Sequence, residues 1–226
     1  DRKKQRLAPG GGGGGCWLGG PETDSSAKFN GGGAKDFGTE GNASEQTGTS
    51  IFDPVLCELA YRWFSPPGGT VLDPFAGGSV RGIVASKLGR QYVGVELRAE
   101  QVEANCAQCS EICGDDEHPP AWVCGDSRNI DKHCADVDAD MVFSCPPYAD
   151  LERYSDDPAD LSTMDYADFR AAYFEIIAKA CARLRPDRFA CFVVGEVRDN
   201  KGAYIDFVGD TVQAFRDAGL AYYNEA

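Results

Sequence analysis

The chain has 226 residues, a formal charge of -14 at neutral pH and ten cysteines. That length suffices for one α/β domain with its own core, and no apolar run approaches the roughly eighteen residues of a membrane span, so no membrane partner is expected and the expected setting is cytoplasmic. The acidic balance weighs against general attraction to nucleic-acid phosphates, which Lys and Arg drive by displacing counterions, so any such contact is expected to be local or supplied from outside this sequence.

The sequence starts at Asp1 without a secretory pattern and stops inside the apolar-aromatic run "LAYYNEA", so it reads as a piece cut at both ends. The cysteines are irregularly spaced and several lie in apolar runs (Cys57, Cys181, Cys191), which favours reduced core thiols over a disulfide framework.

Residues 1–48 are set apart by a basic start (Arg2, Lys3, Lys4, Arg6), six consecutive glycines from Gly10 and a second cluster at Gly31 to Gly33. With so few aliphatic residues such a segment does not offset its ordering entropy, so a disordered arm is expected, whether a plain tail or one that touches phosphates. Residues 49–226 then form the expected catalytic domain. In "DPVLCELAYRWF", Asp53 stands at an N-cap, Pro54 at the first helical position, and Val55, Leu56, Leu59 and Trp63 recur at helical spacing. "SPPGG" ends that helix, and "TVLDPF" reads as a short buried strand.

"AGGS" turns the chain into the helical "VRGIVASKLG". A second strand "QYVGVEL", a helix "RAEQVEANCAQCSEIC", a strand "AWVC", a short polar helix or turn and a strand "ADMVFS" follow. After a long acidic loop come the helix "MDYADFRAAYFEIIAKACARL", the strand "RFACFVVGEV" and the helix "YIDFVGDTVQAFRDAG". Strands that are apolar throughout and alternate with helices predict a doubly wound α/β fold, a parallel sheet covered on both faces. Ligands in such folds bind beyond the carboxyl ends of the strands, which makes the residues closing each strand the candidates.

"DPFAGGSVRG" closes the first strand. Gly77 and Gly78 let backbone approach a ligand closely at a helix N-terminus, although the turn does not match G-x-G-x-x-G. Glu96 closes the second strand and offers a carboxylate to a pair of ribose hydroxyls; its alternative role is a surface helix cap. "GDS" closes the third, with Asp126 able to accept from a nucleobase amine. "SCPPY" closes the fourth, and Glu196, Arg198 and Asp199 close the fifth.

This succession resembles the amino-group DNA methyltransferases of phage or bacterial type, whose fold is the Rossmann-like S-adenosylmethionine domain. The resemblance runs from Ser50 to about Glu225, includes "TSIFDPVLCE" before the glycine turn, and implies that the sheet's last strands are missing from this piece. It also implies S-adenosylmethionine as cofactor and double-stranded DNA as partner, with a cytosine N4 or adenine N6 amine as methyl acceptor on a flipped-out base. Carried over, Asp73, Pro74 and the Phe75, Ala76, Gly77, Gly78 backbone hold the aminoacyl part of the cofactor, and Glu96 takes the ribose hydroxyls. Asp126 and Ser127 meet the adenine, Ile51 and Phe52 cover the methionine end, and Ser50 and Ser144 complete the cofactor-binding set.

The catalytic loop is then Cys145, Pro146, Pro147 and Tyr148. Two prolines fix φ and remove two N–H donors, so the loop presents carbonyl acceptors to the amine, while Tyr148 stacks on the flipped base. Cys145 departs from the family pattern of Asp, Asn or Ser, and its shape, nearest Ser, leans toward cytosine. It also admits two other roles, covalent nucleophile or packing residue.

Other readings stay open. Methyl transfer by the same fold to RNA or to a protein glutamine amide suits the acidic charge, and an incomplete sheet suits an inactive piece. A nicotinamide oxidoreductase lacks its glycine motif and leaves "PPY" unexplained. Cys106, Cys109 and Cys113, with Cys124, His118, His133 and Cys134, permit a zinc site, but the i, i+3, i+7 spacing is that of a buried helix face, so no metal is expected. The loop from Ala149 to Thr163 is either a lid or a solvated surface.

Overall fold

The computed structural model describes residues 51–114, 116–148, 154–199 and 201–225. The glycine-rich arm, residue Ser50 and the first part of the acidic loop lie outside the described residues. The helices are α1 (Pro54–Phe64), α2 (Val80–Lys87), α3 (Ala99–Ile112), α4 (Ile130–His133), α5 (Tyr166–Cys181) and α6 (Phe207–Asp217). The strands are β1 (Thr70–Asp73), β2 (Gln91–Glu96), β3 (Ala121–Cys124), β4 (Ala139–Ser144) and β5 (Leu184–Phe192).

All pairings are parallel and the order is β3-β2-β1-β4-β5. The chain therefore steps outward from β1 to β3, then returns to lay β4 on the other side of β1. That reversal puts the ends of β1 and β4 side by side although some seventy residues separate them, and a crevice at such a reversal is where doubly wound sheets bind ligands. The central strands are apolar because both faces are covered: Val71, Leu72, Met141, Val142 and Phe143 have no exposed surface.

Helix α1 starts where expected, with the Asp53 carboxylate accepting from Val55 N at 2.7 Å and Leu56 N at 3.3 Å. Its recurrent apolar residues mark the helix but not its inward face. Val55, Leu56, Leu59 and Trp63 are exposed, and Cys57, Ala60 and Tyr61 are the buried ones. The inward stripe is made of smaller or polar-tipped residues because α1 lies over Phe143 and the start of α2, where Tyr61 donates to the Arg81 carbonyl at 2.9 Å.

Strand β5 also differs from expectation. It begins at Leu184 and ends at Phe192, where its partner β4 ends at Ser144, so Val194 to Val197 run on with no ladder to join. Pro186 is accommodated because β5 is the edge strand among the described residues. The register shift opposite Ala139 and Met141 is held by Asp140, which accepts from Arg185 at 2.7 Å and Arg188 at 3.1 Å. In α3 and just beyond it, Cys109 and Cys113 are buried and Cys106 is exposed, so packing accounts for two of the three thiols. Among the described residues no helix is long and apolar enough to cross a membrane.

Candidate active site at the strand ends

The turn after β1 is shaped by a buried polar network around Asp73. One carboxylate oxygen accepts from Phe75 N at 3.1 Å and Ser144 Oγ at 2.5 Å, the other from Arg81 Nε at 2.6 Å and Tyr92 Oη at 2.8 Å. Arg81 then reaches over the turn, donating through Nη2 to the carbonyls of Phe75 at 2.6 Å and Ala76 at 2.9 Å. Burial works against the Arg81 charge, but Asp73 and Tyr92 outweigh it and the net shift is upward. Burial, reinforced by Asp73, likewise pushes the Tyr92 phenol well up, so its O–H stays a donor.

Asp73 and Ser144, expected at the cofactor, thus have no exposed surface, and their contacts run inside the protein. They form the turn rather than face the cleft. Pro74 is buried beneath it, and Phe75 turns inward against Tyr173, with ring centroids 5.9 Å apart.

What faces outward is glycine. Gly77 has φ +50°, a left-handed conformation that side chains rarely adopt, and a Cβ built on Gly77 or Gly78 would meet nothing within 4 Å. The turn is docked on β2 by Ala76 N donating to Val95 O at 3.0 Å, a close approach that Gly94 permits, since a Cβ there would lie 2.8 Å from that of Ala76. The buried Asn105 of α3, oriented by Gln101 at 2.9 Å, holds the Gly77 carbonyl at 2.7 Å.

Glu96 stands over the same turn. One of its oxygens accepts from Gly77 N at 2.9 Å and the other from Arg98 N at 3.0 Å. Each oxygen thereby uses one lone pair and keeps another for a hydroxyl donor. Burial raises its pKa, an effect that the Arg98 and Gly77 backbone donors oppose without cancelling. A bare glycine turn beside a carboxylate with two remaining acceptor positions fits the aminoacyl and ribose parts of S-adenosylmethionine.

At the end of β3, Asp126 accepts from Arg128 N and Arg128 Nε, both at 2.8 Å, and is only part-exposed. Ser127 donates to the Pro74 carbonyl, tying β3 to the turn instead of reaching outward. A depression of about 400 Å³ adjoins this end, lined by Arg128, Met164, Asp168 and Glu175 among others. On the other flank, Phe52 packs edge-on against Phe143 at 5.8 Å with the Arg81 guanidinium 4.8 Å from its ring centre, while Ile51 is 85% exposed.

The loop after β4 leaves the sheet beside the glycine turn. Ser144 O accepts from Val193 N at 2.9 Å, which holds the start of that loop against β5's continuation. Pro146 is buried, and Cys145, Pro147 and Tyr148 are half-buried. The Tyr148 ring meets Phe207 edge-on at 5.8 Å, in front of an aromatic cluster with Phe169, Tyr173 and Phe192. A Cβ on Gly195 would stand 3.9 Å from the Tyr148 ring, so the segment after β5 walls the other side. Of the acidic loop, residues 154–163 are described: Tyr154 N donates to Ser162 Oγ at 3.1 Å, and Leu161 is buried against the same aromatic cluster.

The sheet thus brings together the glycine turn, Glu96 and the Cys145–Tyr148 loop, with Asp126 and Phe52 at the flanks. Sequence reasoning missed Arg81, Tyr92, Asn105 and Gln101. Only Arg81 left a signal, a lone charge in an otherwise small and apolar helix start, eight residues after the Asp it pairs with.

The fold is that of the Rossmann-like S-adenosylmethionine-dependent methyltransferases. The structure of magnesium protoporphyrin IX methyltransferase (ChlM) from Synechocystis PCC 6803 with bound SAM has a TM-score of 0.51 at 14% identity, over 76% of this chain and 70% of that one. A TehB-like SAM-dependent methyltransferase from Corynebacterium glutamicum gives 0.50 at 19% identity, over 78% and 77%.

Within that class the chain resembles the amino-group DNA methyltransferases. Residues 41–107 match the N6_N4_Mtase family model, described as DNA methylase. That match takes in Phe52, the glycine turn and Glu96 and stops before Asp126 and the Cys145–Tyr148 loop. Over 51 residues the chain is 41% identical to the Type II methyltransferase M.SmaI of Serratia marcescens, which amounts to 23% of this chain and 18% of that protein. The matched part therefore spans less than a fifth of that relative.

Proposed function

We propose that residues 49–226 are the catalytic domain of a methyltransferase that moves a methyl group from S-adenosylmethionine to the exocyclic amine of a flipped-out DNA base, cytosine N4 or adenine N6. The observation that carries this reading is the adjacency of β1 and β4, which sets the glycine turn beside the Cys145–Tyr148 loop and ties them through Ser144 and Asp73.

When bound, S-adenosylmethionine supplies a methyl group on a sulfonium, an electrophile that an amine attacks as the carbon–sulfur bond breaks. Glu96 would hold the ribose hydroxyls, the Gly77 and Gly78 backbone the aminoacyl end and Asp126 the adenine, with Phe52 beside the methionine end. The chain's own task is to make the amine nucleophilic, because its lone pair is delocalised into the base ring. Pro146 and Pro147 offer no N–H to compete, so the loop draws the amine hydrogens onto carbonyl oxygens. Tyr148, backed by Phe207, holds the base against rotation. Fixing two reactants in such an arrangement removes several kcal/mol of barrier, on the order of 7 to 11 at best. Cys145 in place of an acidic or amide residue leaves polarisation to those carbonyls and, being nearest Ser in shape, favours cytosine.

A second acceptor class is RNA or a protein glutamine amide, of which the formal charge of -14 favours the amide. Transfer of labelled methyl to duplex DNA, RNA and protein in parallel separates them, with duplex DNA labelled and the product base N4-methylcytosine or N6-methyladenine. Label in RNA or protein alone contradicts the DNA reading.

A further inference from the structure

The segment between β5 and α6 carries an aromatic side chain that the site described above does not use. Arg198 and Tyr204 pair across an antiparallel bridge, and the Arg198 guanidinium lies 3.9 Å from the Tyr204 ring centre. Arg198 is fixed in that position by donating to the Gly202 carbonyl at 2.6 Å. The Asp199 carboxylate accepts from Lys201 N at 2.9 Å and Ala203 N at 2.8 Å, and Ile205 N donates to Val197 O at 3.0 Å. The pair is thus held by several contacts while Tyr204 is 58% exposed.

Both feet of this hairpin stand at Tyr148. Gly195 lies against the Tyr148 ring three residues before Arg198, and Phe207 meets the same ring three residues after Tyr204. Three residues reach at most about 10 Å, so the backbone of Arg198 and of Tyr204 each lies within about that distance of a residue that touches Tyr148.

We infer that Tyr204, held by Arg198, is a stacking wedge for the duplex around the flipped base, an inference that rests on the DNA reading proposed above. Removing a base from the stack exposes the faces of its neighbours and of its widowed partner, and enzymes that distort DNA fill such gaps with rigid side chains. Stacking requires no counterion release, so it is a contact open to a chain of net charge -14, and the charges near the hairpin are mixed, Glu196, Asp199 and Asp206 with Arg198 and Lys201. The Arg198 cation on one side of the ring strengthens its stacking on a base.

The test uses the full chain with a duplex carrying 2-aminopurine at the target position, once the methylated sequence is known. Tyr204→Ala is expected to weaken duplex affinity about tenfold and to lower the 2-aminopurine signal of base extrusion. The slope of affinity against salt stays unchanged, because no phosphate contact is lost. Tyr204→Trp restores affinity, and cofactor affinity and thermal midpoint are those of the parent in both variants. Equal duplex affinity and equal extrusion in Tyr204→Ala overturn this inference alone. A changed salt slope with unchanged extrusion overturns it as well, by making the hairpin a phosphate contact. A parent protein that labels RNA or protein and not duplex DNA overturns the DNA reading, and this inference with it.

Discussion

Arg81 Nε lies 2.6 Å from Asp73 Oδ2, and both side chains are buried, 6% and 0% exposed. A buried pair of this kind shapes the structure around it more than it adds to stability, since desolvation offsets most of the attraction. Here it joins the end of β1 to the first turn of α2 and clamps the two carbonyls in between.

Removing one partner leaves an uncompensated buried charge. Arg81→Met is therefore expected to cost about 3 to 5 kcal/mol of stability. The double variant Asp73→Asn with Arg81→Met is expected to recover part of that loss, giving a positive coupling in a double-mutant cycle followed by chemical denaturation. Additive losses would show that the two side chains act separately.

Glu96 gives the site a pH dependence whose sign follows from its burial. Hydroxyl donors stabilise the charged carboxylate, so its pKa is lower with the ribose bound than without it. Affinity for S-adenosylmethionine is therefore fully present above the ligand-free pKa and is lost as pH falls through it. Because burial raises that pKa, the pH window of the loss lies above that of an exposed Glu. Titration calorimetry across that window is expected to show the decline, and Glu96→Gln to show weaker and nearly flat binding.

Gly94 sits under the turn with no room for a methyl group. Gly94→Ala forces its Cβ against that of Ala76, at 2.8 Å in the undisturbed geometry, and against the Tyr92 ring. Overpacking of this kind costs about 1 to 3 kcal/mol. The displaced turn should weaken cofactor binding more than the same change at a tight glycine away from the turn such as Gly69, just before β1, which meets Pro66 and Asp140 instead.

These residues also show how much of the site was legible in the amino-acid sequence. The order of strands and helices was, because apolar runs bounded by Gly and Pro depend on local pattern. So was the placing of the glycine turn, Glu96 and the proline loop at strand ends, which follows from the same pattern. The inward face of α1 was not: Val55, Leu59 and Trp63 have the right spacing, but the face that turns inward is set by Phe143 and α2, which lie far away in sequence. Nor was the inward orientation of Asp73 and Ser144, since a strand-end polar residue faces ligand or protein according to what stands opposite, and Arg81 and Tyr92 stand opposite Asp73. The end of β5 was misplaced for a similar reason, since a strand ends where its partner does and composition does not record the partner.

The central claim is that the loop from Cys145 to Tyr148 holds the methyl acceptor while the glycine turn and Glu96 hold the donor. Single-turnover transfer of labelled methyl to duplex DNA by Tyr148→Ala, with cofactor affinity measured on the same preparation, tests it most directly. Methyl transfer is expected to collapse while cofactor affinity stays within about twofold, since a stacked base gains about 1 to 3 kcal/mol from the ring and loses its alignment without it. Transfer at the parent rate would contradict the account.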